Sequence, residues 1–289
     1  MKKVYVITGA TSGIGNALVK AFADDALVFA GYRNENYERD LRKISSNVIP
    51  FYIDFEKKSS IRQATAYIKS KTDRIDTLIN AAGCVIAGEM TVIDPDDVRR
   101  QFEVNTFSHL DFSQRLIPLM KHVIASEHQR SSWRSRGNPD SKIINISSMS
   151  SFGVFPYVAP YCASKRALDI LFNSMLLEIP PCNGGLKIVS VKPGVIVTPL
   201  WEKSIELNKN KLRNGMEFLV ENARKNAKNG LDVQKVVKLI KKIDALENPK
   251  ASYTIGLDAK FAEILSKLPQ DWVNFIVKKG INNSLKLNY

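Results

Sequence analysis

Tyr161 and Lys165 stand four residues apart in Tyr161-Cys162-Ala163-Ser164-Lys165. If that stretch opens a helix, positions i and i+4 share a face and the ammonium lies beside the phenol. An unperturbed phenol titrates at about 10, too high for efficient proton transfer near neutrality. A neighbouring ammonium favours the phenolate and lowers that value. The pair suits acid/base work on an oxygen, such as protonating a carbonyl as it receives a hydride. A second chemical motif lies at the other end of the chain. Gly9, Gly13 and Gly15 are spaced G-x-x-x-G-x-G in Thr8-Gly9-Ala10-Thr11-Ser12-Gly13-Ile14-Gly15. Backbone without Cβ atoms lets N–H groups approach a pyrophosphate, and the positive end of a following helix favours the same anion.

These residues need a scaffold that brings them together. Apolar runs at residues 3–7, 26–31, 48–53, 76–80, 141–147, 186–192 and 252–256 read as strands. Amphipathic stretches near 14–23, 59–71, 95–125 and 161–178 read as helices between them. Runs such as Ile143-Ile144-Asn145-Ile146 are almost continuously apolar, as parallel strands covered on both faces are. Right-handed crossovers then give an α/β fold, a Rossmann-like doubly wound parallel sheet with helices on both faces. The chain of 289 residues reads as one such domain, without repeats or a low-complexity linker. Ligands of this fold bind at the carboxyl ends of the strands. Asn80-Ala81-Ala82-Gly83, Ser147-Ser148 and Pro193-Gly194 all fall at expected strand ends, and Asn105 falls within a long helical segment.

In order, T-G-x-x-x-G-I-G, N-A-A-G, a Ser thirteen residues before the Tyr, Y-x-x-x-K and P-G span residues 8 to about 200. This set resembles the classical short-chain dehydrogenase/reductase family. The resemblance implies NAD(P)-dependent interconversion of an alcohol and a carbonyl. Asn105, Ser148, Tyr161 and Lys165 are then the expected catalytic set. Family spacing selects Ser148 over Ser147 to orient the substrate oxygen. It gives Lys165 a second task on the nicotinamide ribose, and Asn105 a water-mediated proton path to Lys165. The implied cofactor contacts are Gly9, Thr11, Ser12, Gly13, Ile14, Gly15, Arg33, Asp54, Asn80, Ala81, Gly83, Tyr161, Lys165, Pro193, Gly194, Ile196 and Thr198. His109, four residues after Asn105, reads as packing, and Cys162 as a small buried thiol.

The second strand ends in Tyr32-Arg33. An NAD site usually has a carboxylate there for the ribose 2′-hydroxyl, whereas an Arg accommodates a 2′-phosphate. NADP(H) is the expected preference, with NAD(H) as the weaker option, because the place of a supporting basic residue in the glycine loop is held by Ser12. The alternative is an NADP-binding redox-sensing regulator with little turnover; a sensor has no need of the acid/base Tyr.

The formal charge of +13 could serve an anionic partner, but the basic residues are spread along the chain. The Arg/Trp cluster Gln129–Gly137 reads as a surface loop insertion without an accompanying nucleic-acid motif, so nucleic acid is not an expected partner. Cys84, Cys162 and Cys182 have no metal-ligand spacing, and no metal or disulfide framework is expected. The chain shows no long apolar run and no leader, so the expected compartment is the cytoplasm. A substrate lid is expected at about 195–230. The segments Met149–Tyr157 and Val195–Trp201 are apolar and aromatic without Arg or Lys. The expected substrate is therefore an apolar alcohol or ketone: a steroid, retinoid, lipid or aromatic carbonyl. The segments around Pro193 and Tyr253 resemble the branch that contains retinol and 17β-hydroxysteroid dehydrogenases. At about 257–289 an amphipathic extension places Phe261, Ile264, Leu265 and Leu268 on one helix face. That face is expected to pack on the domain or on a second copy in a homo-oligomer, or, with Lys260, Lys267, Lys278 and Lys279, to touch a membrane surface peripherally.

Overall fold

The computed structural model describes residues 2–120, 141–178, 186–208, 220–221, 224–225 and 228–285. The basic cluster 129–137 and Cys182 lie outside the described residues, as do much of the 209–227 part of the expected lid and the Trp201 side chain. Seven strands form one sheet: β1 (Lys3–Ile7), β2 (Ala26–Tyr32), β3 (Val48–Tyr52), β4 (Thr77–Asn80), β5 (Lys142–Ile146), β6 (Lys187–Pro193) and β7 (Ser252–Ile255). Every pairing is parallel, in the order β3-β2-β1-β4-β5-β6-β7. The expected strand ends are met to within one or two residues. Between β1 and β4 the order switches direction, and a cleft opens at the carboxyl ends there.

Alternation along β1 explains the two layers. Tyr5 and Ile7 face one helix layer with α1 (Gly13–Phe22) and α8 (Val233–Ala245); Val4 and Val6 face the other. The second layer holds α3 (Lys58–Lys69), α5 (Ser108–Met120) and α6 (Ala159–Glu178), through Ile61, Ile68, Phe112, Leu116, Leu168 and Phe172. The remaining helices are α2 (Glu38–Arg42), α4 (Pro95–Phe102), α7 (Leu200–Asn208), α9 (Leu257–Leu265) and α10 (Gln270–Leu285). At the sheet's amino end, Asp244 of α8 accepts hydrogen bonds from Lys3 Nζ, Tyr5 Oη and Thr77 Oγ1 at 2.9, 2.7 and 2.7 Å. Polar contacts thus tie β1 and β4 to α8 at that end.

Two expectations about helices change. The segment 95–125 is not one regular helix: a π-helical turn, Glu103–Phe107, separates α4 from α5 and carries Asn105. The C-terminal face also turns the other way. Ala259, Ala262 and Val273 are the buried residues of α9 and α10, while Phe261 and Ile264 are 59 % and 62 % exposed. Small residues allow α9 to lie close to the domain, so its large side chains point outward. This face does not pack on its own domain.

Candidate active site

The floor of the cleft is the loop between β1 and α1. Thr8 Oγ1 accepts hydrogen bonds from the Ala81 and Ala82 amides at 3.0 and 3.1 Å, which joins this loop to the one after β4. Gly9 has φ +64°, and a Cβ there would stand 2.9 Å from the Ala82 backbone. A Cβ on Gly15 would run into the Gly9 carbonyl oxygen. Only glycine fits at either place, so the amino end of α1 is held against the two loops. The first turn of α1 contains no acidic residue. Its free N–H groups and positive dipole end are therefore not neutralised by the helix itself.

The wall comes from β5 and α6. Ser148 is extended (φ −161°, ψ 158°), and its hydroxyl accepts from the Ser150 amide at 3.1 Å, starting the short turn Met149–Phe152. Ser148 and Tyr161 line the same cleft. Lys165 is 4 % exposed; its Nζ donates to the Ile146 carbonyl at 2.9 Å and lies 6.0 Å from the centre of the Tyr161 ring. Burial pushes the Tyr161 phenol up to about 12, against a lowering by the Ser148 hydrogen bond. Burial also brings Lys165 down to about 8, against the raising effect of Asp169 and then Cys84. The expectation of a phenol lowered by its lysine is thus reversed here: desolvation outweighs an ammonium that stands off the ring.

Three expected residues support the cleft without lining it. Asn80 is 1 % exposed and donates to Ser113 Oγ at 3.0 Å and to Asn145 Oδ1 at 2.8 Å. Its side chain points away from the cleft, and its neighbours Ala81 and Gly83 line it. Gly15 is buried beneath Gly9. Asn105 is fully buried: its Oδ1 accepts from the Cys84 amide at 3.0 Å, and its Nδ2 donates to the Cys84 carbonyl at 3.0 Å and to Ser164 Oγ at 3.2 Å. A Cβ on Gly83 would lie 3.3 Å from Asn105 Oδ1 and 3.6 Å from Lys165 Nζ. Asn105 and Lys165 therefore flank one small space. His109 is buried, with Nε2 2.9 Å from the Ala82 carbonyl and its ring edge-on to Phe55. Burial and then Lys165 push it down to about 3. A neutral His109 donates to Ala82 and packs, as its position suggested. Burial also pushes the Cys162 thiol up, which suits an inert core residue.

The remaining expected residues Thr11, Ser12, Gly13, Ile14, Arg33, Asp54, Pro193, Gly194, Ile196 and Thr198 all line the same cleft, of about 830 Å³. Tyr32, in place of a strand-end carboxylate, donates to Glu38 Oε2 at 2.6 Å. Arg33 Nη1 and Arg100 Nη2 share Glu56 Oε1 at 3.1 and 2.8 Å. Three residues that sequence reasoning missed act over long separations. Thr8 ties the glycine loop to Ala81. Asp258 of α9 accepts from the Val195 amide at 2.7 Å and fixes the turn after β6. Lys203 of α7 donates to Ser12 Oγ at 2.9 Å. At the opposite end of the cleft Val85, Phe155, Val158, Leu200, Ile205 and Val277 present apolar surface.

A glycine floor that admits backbone, a helix amino end and an adjoining apolar chamber fit a nicotinamide dinucleotide with a carbonyl or alcohol beside it. Comparison with known proteins agrees. The family model described as short chain dehydrogenase matches residues 3–209. A Helicobacter pylori protein named probable short-chain type dehydrogenase/reductase VdlC is 28 % identical over 280 residues, covering 94 % of this chain and 96 % of its own length. The 3-ketodihydrosphingosine reductase of Bacteroides thetaiotaomicron is 27 % identical over 282 residues, covering 96 % and 97 %. Two solved structures share the fold. A Burkholderia phymatum short-chain dehydrogenase/reductase in complex with NAD superposes with a TM-score of 0.75 at 17 % identity, covering 95 % of each chain. A Burkholderia cenocepacia short-chain dehydrogenase in complex with NADP gives 0.69 at 21 %, covering 96 % of this chain and 97 % of its own. With the motifs, the sheet and the family match in agreement, the chain belongs to the short-chain dehydrogenase/reductase family and is an NAD(P)-dependent oxidoreductase.

Proposed function

We propose that this enzyme prefers NADP(H) and interconverts an apolar ketone and its secondary alcohol, in the steroid, retinoid, lipid or aromatic class. The observation that carries this reading is that Ser148, Tyr161 and Lys165 line one cleft, Lys165 Nζ 6.0 Å from the Tyr161 ring centre, with the glycine loop at its floor and apolar side chains beside them. A bound nicotinamide supplies or accepts the hydride. Tyr161 gives its proton to the carbonyl oxygen in reduction and takes it back in oxidation. Ser148 donates a hydrogen bond to the same oxygen and holds it in line. Lys165 stabilises the phenolate that is left, and its place beside Asn105 makes Asn105 the next member of the proton path through water. The phenol held at about 12 keeps its proton at neutral pH, where it is available to the carbonyl oxygen in reduction.

Among the described residues, Val85, Phe155, Val158, Leu200, Ile205 and Val277 at the substrate end carry no charge to clamp a carboxylate or phosphate. The Bacteroides thetaiotaomicron relative is named for a ketone on a lipid chain, which supports a substrate of that kind here. The cofactor preference rests on Arg33 at the end of β2 and on the absence of a carboxylate at Tyr32. Beside the chamber, α10 turns Trp272 and Phe275 outward, 66 % and 68 % exposed, among the exposed Lys278 and Lys279. This arrangement supports a peripheral contact with an anionic lipid surface from which an apolar substrate can enter. The deciding experiment for the reaction is a panel of carbonyl compounds with NADPH and with NADH, read by loss of reduced-cofactor absorbance. Turnover of long-chain or polycyclic ketones, and of no carboxylated or phosphorylated ones, is the expected result. A preference for charged substrates would overturn the substrate class.

A further inference from the structure

We infer that Lys203, on the lid helix, is the second cation, with Arg33, of the site for the cofactor's 2′-phosphate beside Ser12. This rests on the proposed NADP(H) preference and adds to it where that preference is read.

The glycine loop itself offers no base at Ser12. The Ser12 side chain does not cap α1 either, although it occupies the N-cap. Its hydroxyl is instead engaged by Lys203 Nζ, 191 positions later in the chain, at 2.9 Å. Both Lys203 and Arg33 line the cleft. Their charges are unequally compensated. Arg33 pairs with Glu56, but Arg100 draws on the same carboxylate oxygen. Among the described residues Lys203 has no carboxylate partner. Partial burial, and then the nearby Arg33, hold Lys203 below the ordinary lysine range. Arg33 and Arg100 share one carboxylate and Lys203 has none, so this corner of the cleft is short of an anion. A phosphate monoester placed beside Ser12 would take charge-assisted hydrogen bonds from Lys203 and Arg33.

The position of Lys203 links cofactor choice to the lid. Toward its carboxyl end, α7 is pinned across the cleft: Asn208 Oδ1 accepts from the Ala87 amide at 3.0 Å, and Asn208 Nδ2 donates to the Val85 carbonyl at 3.1 Å. Val85 and Leu200 line the apolar chamber. The same helix thus meets the glycine loop near its start and roofs the chamber along its length. A 2′-phosphate held by Lys203 then draws on the helix that roofs the chamber, and NAD(H), which lacks it, does not.

The test is a titration of NADPH and NADH by cofactor fluorescence, with the thermal midpoint in saturating cofactor as a second readout. In the parent protein NADPH binds more tightly. Lys203→Gln is expected to weaken NADPH about tenfold, as removal of a hydrogen bond to a charged group does, and to leave NADH within about twofold of the parent value. It also removes the extra midpoint shift that NADPH gives over NADH. Lys203→Arg retains most of the preference, and Lys203→Glu weakens NADPH further than Gln does. Lys203 is exposed, so these changes spare the core. If the parent binds both cofactors equally, the NADP(H) reading and this inference fall together. If the parent prefers NADPH but Lys203→Gln weakens both cofactors alike, only this inference falls, because the amine then serves the shared part of the dinucleotide or the lid alone.

Discussion

Thr8, Asn80 and Asn145, beneath the glycine loop, are at most 1 % exposed, yet each is polar and each is hydrogen-bonded across the sheet. Phe261, Trp272 and Phe275, on the C-terminal flank, are apolar and 59 to 68 % exposed. The two regions invert the usual distribution in opposite senses, for different reasons. A buried amide or hydroxyl must find a partner of fixed geometry, so the residue type there is forced by the structure around it. An exposed aromatic ring asks only to be covered, and many surfaces can cover it. The first region therefore specifies a cofactor frame closely. The second specifies that something apolar belongs there and leaves its identity to chemistry outside the chain.

The largest expected effect lies where the rigid region meets the reaction. Tyr161→Phe removes one proton donor and leaves the ring, its packing and the glycine loop in place. General acid catalysis is worth roughly 100- to 10,000-fold, so turnover should fall by that range. Cofactor affinity, measured by titration, should stay within about twofold, because the phenol acts in the transition state. A variant that turned over at the parent rate would show that the polar frame holds some other chemistry.

How much of this frame was legible in the sequence follows from the range of the forces involved. The strands and the glycine loop were legible because alternation and backbone fit are local. The direction of the Asn80 amide was not legible, because a motif gives a residue's place at a strand end and not the side its amide faces. The π-helical turn was missed because Asn105 takes its bonds from Cys84 and Ser164, 21 and 59 positions away, which no periodicity records. Thr8, Asp258 and Lys203 have partners 73, 63 and 191 positions distant; no spacing within a motif would have pointed to them. The C-terminal face was read as amphipathic, and its direction is decided by Ala259 and Ala262, which fit against the domain where Phe261 does not.

The next effect concerns pH, and its sign depends on direction. The free phenol near 12 is protonated throughout the neutral range, so reduction has its donor and kcat/KM for the ketone should stay level between about pH 6 and 8. Oxidation needs the phenolate, whose fraction rises about tenfold per unit below that value, so kcat/KM for the alcohol should climb over the same interval. Lys165, near 8, loses its charge above that pH. Less stabilised phenolate then flattens the oxidative climb and lowers the reductive rate. Lys165→Met should remove the break near 8 and also weaken cofactor binding. Parallel profiles in the two directions would break the assignment of the proton to Tyr161.

A smaller effect is expected at Arg33. Its side chain is mostly exposed and shared with Glu56, so solvent and that carboxylate already screen it. Arg33→Ala should cost NADPH about tenfold in affinity, the low end for a hydrogen bond to a charged group, and should leave NADH nearly unchanged. Equal losses in titrations of the two cofactors would move Arg33 away from the 2′-phosphate.

The smallest effect on stability, and the sharpest on placement, is expected from the flank. Trp272 and Phe275 bury little of their area against the domain, so exchanging both for Ser should shift stability by no more than about 0.5 kcal/mol each, as surface changes do. The proposed lipid contact predicts a different outcome for sedimentation with anionic vesicles at low salt. The parent protein should pellet, and the double variant should remain in the supernatant. Raising the salt should release the parent in part, because Lys260, Lys267, Lys278 and Lys279 supply a screened attraction while the rings supply an unscreened one. Among the described residues no helix is long and apolar enough to cross a membrane. A parent protein that stays in the supernatant overturns the lipid contact. If the same protein then shows a concentration-dependent mass that the double variant lacks, the occupant of the face is a second copy of the chain.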